Sequence, residues 1–265
     1  MDTEDILKLH YESYDEDGRL RSKHGMVEFV TTMYYIEKYL KNGDKVLEIG
    51  AGTGRYSHAI AQKGYNVDAI ELLERNIDVF KINTVDGEKV TIRQGNAVDL
   101  SCIKDNTYDI TLLLGPMYHL FTVEEQRKAL EEAVRVTKHG GKVFVAYCGN
   151  DASVVQFLFG KHKTKTEPYA DLVDKATFKL CSPEATPDVI FVLHRKEEIN
   201  KLIAGLPVKR LHFIGTDMMT LYMGEKVDEM DEEEYSLYLK YVLATCERDD
   251  LVGASNHLLD ILKKK

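Results

Sequence analysis

The stretch that decides the fold is Lys45-Val46-Leu47-Glu48-Ile49-Gly50-Ala51-Gly52-Thr53-Gly54, a short apolar strand that leads into a turn with three glycines. A helix from Arg55 to about Lys63 is predicted next, because Gly64 suits the position that follows a helix. Glycines let the backbone approach a ligand closely, and the helix after them presents free N–H groups. The stretch therefore predicts a nucleotide-type site at the end of a first strand.

Strands and helices continue to alternate as far as residue 150. Strands are predicted at 66–71, 90–94, 108–114 and 142–148, and further helices at 74–81 and from residue 123 to a stop at 138–141. Thr122 and Glu125 have the spacing of a capping box at the start of the last of these helices. This alternation predicts an α/β fold, with a mostly parallel sheet, helices on both faces and right-handed crossovers.

The alternation lapses after residue 150. Prolines at 168, 183 and 187 punctuate residues 151–190, which we interpret as an inserted cap. Beyond the cap we expect a strand at 191–194, a helix at 196–204, a strand at 209–214, a helix at 231–246 and a last short helix near 255–262. The predicted organisation is a single domain: N-terminal helices and a cofactor-binding core at 1–150, the cap at 151–190, and the end of the core sheet with closing helices at 191–265.

Composition excludes several classes of protein. The chain has 265 residues, 44% of them hydrophobic, so it has enough apolar side chain to fold. Its net charge of −9 disfavours a long contact with a phosphate backbone, so no nucleic-acid partner is expected. No apolar run reaches the roughly 18 residues of a membrane helix, and residues 1–5 are acidic, unlike a signal peptide. We therefore expect a cytoplasmic monomer or homodimer without a membrane partner.

Two common nucleotide motifs do not fit the glycine turn. A phosphate-binding loop would require Gly-x-x-x-x-Gly-Lys-Ser/Thr, which the turn lacks. A dinucleotide fold would require Gly-x-Gly-x-x-Gly, but the sixth position is Arg55 when counted from Gly50 and Ser57 when counted from Gly52. The four cysteines form no Cys-x-x-Cys pair, so the sequence also predicts no zinc or redox site.

The run Glu48 to Gly54 resembles the first motif of class I S-adenosylmethionine-dependent methyltransferases, and the resemblance extends over roughly residues 41–149. It implies a Rossmann-like, doubly wound, seven-stranded sheet with an N-terminal helical lid, and S-adenosyl-L-methionine as cofactor. Glu71 stands where the family binds both ribose hydroxyls, and Asn96 replaces the commoner Asp beside the adenine. The residues that the resemblance assigns to the cofactor are Glu48, Gly50, Ala51, Gly52, Gly54, Glu71, Leu72, Asn96, Ala97 and Leu114.

The methyl acceptor leaves a weaker trace in the sequence. Residues 114–118 read Leu-Gly-Pro-Met-Tyr, unlike the Asp/Asn-Pro-Pro-Tyr/Phe of nucleic-acid amino-methyltransferases, and no Pro-Cys nucleophile occurs. Asn150-Asp151 only partly resembles the Asp-Asn pair of metal-dependent catechol enzymes, and no acid ends the fourth strand. We therefore expect a metal-independent enzyme that methylates O, N or S of a small molecule. A methyltransferase acting on protein or RNA, and a non-catalytic cofactor-binding regulatory domain, remain alternatives.

Two residues are candidates for catalysis. His119 follows the fourth strand, whose end faces the methyl group in the family, and could act as a general base. Packing against the adenine is the competing interpretation. Tyr14 could close over the site from the N-terminal helices. Arg19 and Arg21 could meet the methionine carboxylate, Arg195 could bind an acidic acceptor, and the acidic run 228–234 is interpreted as a helix cap.

Overall fold

The structure is a computed structural model that describes residues 3–13 and 22–265. The chain divides into two compact units. The glycine-turn unit consists of Ile36–Ala146, Lys201–Leu211 and Asp260–Lys265. The insertion unit consists of Met1–Tyr35, Tyr147–Asn200 and His212–Leu259. The cap expected at 151–190 falls within the insertion unit, and its boundaries stay a prediction.

In the described ranges, eight strands form one sheet in the order β3-β2-β1-β4-β5-β8-β7, and β6 pairs with β5. The strands are β1 Lys45–Ile49, β2 Asn66–Glu71, β3 Val90–Gln94, β4 Tyr108–Leu113, β5 Thr137–Gly149, β6 Leu193–His194, β7 Val208–Gly215 and β8 His257–Lys264. The ladders β1–β2, β1–β4, β2–β3, β4–β5 and β5–β6 are all parallel. The predicted α/β architecture with a mostly parallel, Rossmann-like sheet is confirmed.

The helices are α1 Thr3–Ser13, α2 Lys23–Tyr39, α3 Arg55–Ala61, α4 Glu74–Asn83, α5 Val123–Val136, α6 Asn150–Ser153, α7 Tyr169–Leu172, α8 Lys196–Ile203, α9 Thr220–Met223, α10 Glu225–Asp228 and α11 Glu232–Thr245. Short 3-10 turns cover Pro116–Tyr118 and Val252–Ala254, and a π-helical segment covers Val154–Phe159. No helix in the described ranges combines the length and the apolar character that crossing a membrane requires.

Both predicted helix starts are confirmed. The Thr122 hydroxyl accepts from the backbone N–H of Glu125, while the Glu125 carboxylate accepts from the Thr122 N–H, each at 3.2 Å. The Asp231 carboxylate accepts from the N–H of Glu234 at 2.9 Å. Each cap satisfies N–H groups that have no partner inside the helix.

The predicted last helix near 255–262 is wrong, because these residues belong to strand β8. The apolar positions 258, 259, 261 and 262 imitate helical spacing, but all four are buried in a strand flanked by β5 and β7. A strand covered on both faces loses the alternation of apolar and polar residues that marks a half-exposed strand. Its one acid, Asp260, is fully buried and accepts two hydrogen bonds from Arg210, at 2.7 and 2.6 Å.

The start of β5 also differs from the prediction. The sequence Lys138-His139-Gly140-Gly141 was expected to end α5 before a strand at 142–148, but α5 ends at Val136 and the strand begins at Thr137. The Thr137 hydroxyl donates to the carbonyl of Ala133 and contacts the hydroxyl of Thr111, both at 2.6 Å. This buried side chain satisfies the end of the helix, so the chain passes from helix to strand without a glycine turn.

Candidate cofactor site

The glycine turn is bound to the end of β2 by its own backbone. The N–H groups of Gly50 and Ala51 both donate to the carbonyl of Ile70, at 2.8 and 3.0 Å. The N–H of Gly54 donates to the carbonyl of Ala51 at 2.9 Å, which closes the turn before α3. The turn is thus fixed by the sheet before any ligand contributes.

The three glycines of the turn face different surroundings. A Cβ atom at Gly50 would lie 2.6 Å from Cδ of Pro116, and one at Gly54 would lie 2.5 Å from the rings of His58 and Phe80. A Cβ atom at Gly52 would meet no protein atom within 4 Å. Packing therefore requires the outer two glycines, whereas the middle glycine, with φ of +55°, borders open space where a ligand can approach the backbone.

Glu71 connects the end of β2 to this open side of the turn. One carboxylate oxygen accepts from the N–H of Gly52 at 2.9 Å. The other oxygen accepts from the N–H of Leu73 at 3.0 Å and from the Asn76 side chain at 3.2 Å. A carboxylate has about four acceptor positions, so a hydroxyl group can still bind here. Glu71 therefore fits the predicted role of an acceptor for ribose hydroxyls.

Glu48 lies in β1 directly before the turn and is buried. It accepts a short hydrogen bond from the hydroxyl of Ser57, in the first turn of α3. Burial raises the pKa of Glu48 to about 8; the hydrogen bonds from Ser57 oppose the rise, and the nearby charge of Glu71 adds to it. The contact ties β1 to α3 across the turn, so Glu48 organises the backbone that faces the ligand.

The residues predicted beside the adenine lie after β3. The N–H of Gly95 donates to the carbonyl of Glu71 at 3.0 Å, which holds this segment next to the acidic end of β2. Asn96 is exposed, and its side-chain oxygen accepts from the N–H of Val98 at 3.1 Å. That oxygen has a second lone pair for an exocyclic amine. Ala97 is buried, and the half-buried Leu72 accepts at its carbonyl from Gln94 at 3.0 Å.

The segment after β4 reaches the glycine turn through the close approach of Pro116 to Gly50. The Tyr118 hydroxyl donates to the carbonyl of Leu114 at 3.0 Å. The N–H of His119 donates to the carbonyl of Pro116 at 2.9 Å, and its half-buried ring lies edge-on to the Tyr118 ring, with 4.9 Å between centroids. The structure therefore brings His119 into the same corner as the turn, and its catalytic role stays a prediction.

Other predicted residues have different positions. Tyr14, Arg19 and Arg21 lie outside the described residues. Arg195 is held by Asp151 through two hydrogen bonds of 2.9 and 2.7 Å, so an ion pair occupies the guanidinium proposed for an acidic acceptor. Asn150 accepts from the N–H of Leu180 and donates to the carbonyl at residue 178, so it fixes a loop.

Asp228, in the acidic run 228–234, has hydrogen-bond partners within the protein. Its carboxylate accepts from the backbone N–H of His24 at 2.9 Å and from the His24 ring at 2.7 Å. Within the ranges 3–13 and 22–265, no group of three or more His, Cys, Asp or Glu residues could hold a metal ion.

Residues that hold the glycine turn and Glu71 in place were not predicted from the sequence. His58 is buried in α3, its Nδ1 donates to the Glu88 carboxylate at 2.6 Å, and its ring lies against Phe80 and Gly54. Asn76 was missed as the partner of Glu71. The position of Asn76 one turn into α4 could have suggested this contact, whereas Glu88 follows a loop whose path the sequence does not reveal.

A glycine turn after β1, an acid at the end of β2 and a polar segment after β3 lie where the resemblance to class I S-adenosylmethionine-dependent methyltransferases predicts them. Comparison with known proteins agrees: residues 47–145 match the family described as methyltransferase domain. This stretch of the chain is a methyltransferase domain, and the predicted family is confirmed.

Curated relatives and solved structures extend the comparison. Over 103 residues the chain is 32% identical to a demethylmenaquinone methyltransferase of Clavibacter sepedonicus, which covers 39% of this chain and 40% of that protein. Over 157 residues it is 26% identical to a ubiquinone biosynthesis O-methyltransferase of Idiomarina loihiensis, covering 54% and 60%. The chain thus spans about half the length of these relatives. A structure titled as a SAM-dependent methyltransferase from Methanosarcina mazei has the same fold, with TM-score 0.57, 19% identity and coverage of 87% and 96%.

Proposed function

We propose that the chain transfers a methyl group from S-adenosylmethionine to a small molecule, at O, N or S and without a metal ion. The observation that carries this proposal is the pairing of Gly52 with Glu71. An open backbone position and an acid with spare acceptor capacity lie 2.9 Å apart, from the Gly52 nitrogen to the carboxylate oxygen.

The chemistry of the residues fits this cofactor. S-adenosylmethionine has a ribose diol, and the Glu71 carboxylate can accept a hydrogen bond from a ribose hydroxyl. The cofactor has no phosphate, and the glycine turn accordingly contains no lysine. When bound, the cofactor supplies a methyl group that its sulfonium already activates. The chain itself has to hold the acceptor in line with that methyl group and remove the acceptor's proton where there is one.

One relative is named a ubiquinone biosynthesis O-methyltransferase, and this name favours an acceptor with a ring hydroxyl of the quinol type. A second relative is named a demethylmenaquinone methyltransferase, which favours a quinone-type ring without naming the acceptor atom. We propose that a ring nitrogen of His119 takes the hydroxyl proton as the oxygen attacks the methyl carbon. The position of His119 behind Pro116, which packs against Gly50, supports this role.

The test is methyl transfer from labelled S-adenosylmethionine to a panel of quinols, catechols, simple phenols, amines and thiols. For the best acceptor, His119→Ala is expected to lower turnover at saturating cofactor about 100-fold or more, the usual contribution of a general base. Cofactor affinity should change by less than about threefold, because His119 is not assigned to the ribose or the adenine.

The matched control is His139→Ala in the same unit. His139 is an exposed histidine whose ring contacts the terminal carbonyl at 2.6 Å, away from the glycine turn. Its substitution should leave turnover unchanged. If His119→Ala loses only cofactor affinity, His119 belongs to the adenine wall. Transfer to protein or RNA but to no small molecule would contradict the proposed acceptor class.

A further inference from the structure

A cluster of apolar side chains is exposed in the insertion unit. Val155, Phe157 and Phe159 are 48%, 45% and 50% exposed on the π-helical segment. The ring of Phe178, itself 45% exposed, lies 6.0 Å from the ring of Phe159. The buried neighbour Leu158 anchors the segment. The rings of Phe159 and Phe178 therefore form an exposed aromatic pair, and Val155 and Phe157 are two further exposed apolar side chains of the same segment.

Lysines follow this cluster at once. Lys161, Lys163 and Lys165 are all exposed, and residues 154–166 contain no acid although the whole chain has a charge of −9. Lys161 extends over the ring of Phe157, with its amine 4.8 Å from the ring centroid. The N–H of Lys163 donates to the carbonyl of Leu158 at 2.8 Å, and the Lys163 amine lies 5.3 Å from the ring centroid of Tyr169.

We propose that this surface binds peripherally to a bilayer that contains anionic lipid. Aromatic side chains bury their rings at the boundary between head groups and acyl chains, and lysines beside them pair with lipid phosphates. The long lysine stems can lie along the apolar side chains while the amines stay in the head-group layer. We call this the aromatic–lysine surface: Val155, Phe157, Phe159, Lys161, Lys163, Lys165 and Phe178.

Charge distinguishes this surface from other exposed apolar residues of the same unit. Leu237 and Tyr241 are 59% and 50% exposed on α11, but α11 begins with three consecutive glutamates. An anionic bilayer would repel that helix and attract the lysine run. The sequence predicts no membrane partner because no apolar run is long enough to span a bilayer, but binding to a membrane surface needs no such run. The proposal does not depend on the acceptor being a quinol.

The test is sedimentation of the full chain with vesicles of phosphatidylcholine containing 30% phosphatidylglycerol, and with vesicles of phosphatidylcholine alone. Binding is expected only to the anionic vesicles and should weaken as salt rises. The triple variant K161Q/K163Q/K165Q should lower partitioning about 100-fold, from about fivefold for each lysine. The variant F157S/F159S should lower it about tenfold or more, because apolar burial is lost.

The control variant is L237S/Y241S, which removes equally exposed apolar side chains from the acidic helix and should leave vesicle binding unchanged. Melting temperature and methyl transfer to a water-soluble acceptor show that each variant is folded, independently of vesicle binding. Failure of the anionic vesicles to bind the chain overturns the proposal, as does equal binding to neutral vesicles. Binding that survives both surface variants overturns it as well. A dimer in solution that F157S/F159S dissociates would assign the surface to a second copy and overturn it too.

Discussion

The glycine-turn unit and the insertion unit differ in how they expose apolar side chains. Among the described residues, fifteen large hydrophobic side chains are exposed, and twelve of them belong to the insertion unit. The three in the glycine-turn unit are Ile82, Val85 and Val123. The glycine-turn unit instead holds one glycine turn with two buried acids beside it, Glu48 bonded to Ser57 and Glu71 bonded to Gly52.

The difference indicates two kinds of recognition. A turn that binds through its backbone needs glycines at fixed spacings, so its function is visible as a sequence motif. A surface that binds through apolar and basic side chains needs only composition and exposure, so no motif marks it. The predictions below test the packing of the glycine turn, the ionisation of Glu48 beside it, and whether cofactor binding depends on the glycine-turn unit alone.

The largest effect is expected at Gly54. Gly54→Ala places a methyl group 2.5 Å from the rings of His58 and Phe80, and φ is +93°. Overpacking and backbone strain together should lower the free energy of unfolding by about 3–5 kcal/mol. Gly64→Ala is the control, because Gly64 has the same φ but no atom within 4 Å of the added methyl group. It should cost about 1–2 kcal/mol, as measured by urea denaturation, and equal losses in the two variants would contradict the packing role of Gly54.

The next effect is a pH dependence that originates at Glu48. Its folded pKa of about 8 lies above the ordinary glutamate value, so the folded protein holds a proton that the unfolded chain has released. This contribution to stability is present below about pH 4.5, is lost as pH rises through about 8, and is absent at pH 9. Glu48→Gln keeps an acceptor for the Ser57 hydroxyl but cannot ionise.

The measurement is the free energy of unfolding at pH 5 and pH 9. Wild type should lose roughly 4 kcal/mol more than Glu48→Gln over this interval, because nearly three pH units of it lie between the unfolded and the folded pKa. The exposed Glu124 is the control, and Glu124→Gln should follow wild type. Parallel profiles for wild type and Glu48→Gln would show that Glu48 is ionised at neutral pH and would remove this part of the account.

A smaller effect is expected at Glu71. Glu71→Gln removes the negative charge of a side chain that accepts from the N–H groups of Gly52 and Leu73. S-adenosylmethionine binding should weaken by about 1.5–3 kcal/mol, which is at least about tenfold in affinity. Arg195→Gln is the control from the insertion unit, because it also removes one charge and breaks the Arg195–Asp151 ion pair, which does not involve Glu71. Calorimetry should give unchanged cofactor affinity for Arg195→Gln. Equal weakening by both variants would contradict the division between the units.

Strands β1 to β4 could be predicted because each is a short run rich in apolar or β-branched residues and bounded by glycines or polar residues. The predicted ranges 66–71 and 90–94 agree with β2 and β3. Strand β8 could not be predicted, because residues 258–262 are apolar on both faces and their only acid is neutralised by Arg210, which is distant in sequence. A pattern without alternation does not distinguish a buried strand from a helix.

The site shows the same limit. The sequence predicts that Gly52 and Glu71 both lie at the ends of strands, but not that one donates a hydrogen bond to the other. The spacing of Asn76 from Glu71 is compatible with a hydrogen bond, but the contact depends on where the first turn of α4 begins, and the sequence does not fix that residue. Arg195 is no longer a candidate for binding an acceptor, because it pairs with Asp151. The sequence could not predict this pair, since Asp151 lies 44 residues earlier in the chain.

The most direct test of the central claim is calorimetric titration of wild type and Gly52→Val with S-adenosylmethionine, S-adenosylhomocysteine and NAD. Wild type should bind the first two and not NAD, with about 2.7 kcal/mol of added stability at 100 times the dissociation constant. Gly52→Val should stay folded, because no protein atom lies within 4 Å of the added Cβ and the strain of a side chain at φ +55° costs about 1–3 kcal/mol, but it should bind neither ligand. Unchanged affinity in Gly52→Val, or binding of NAD alone to wild type, would contradict the assignment of the glycine turn as the methyl-donor site.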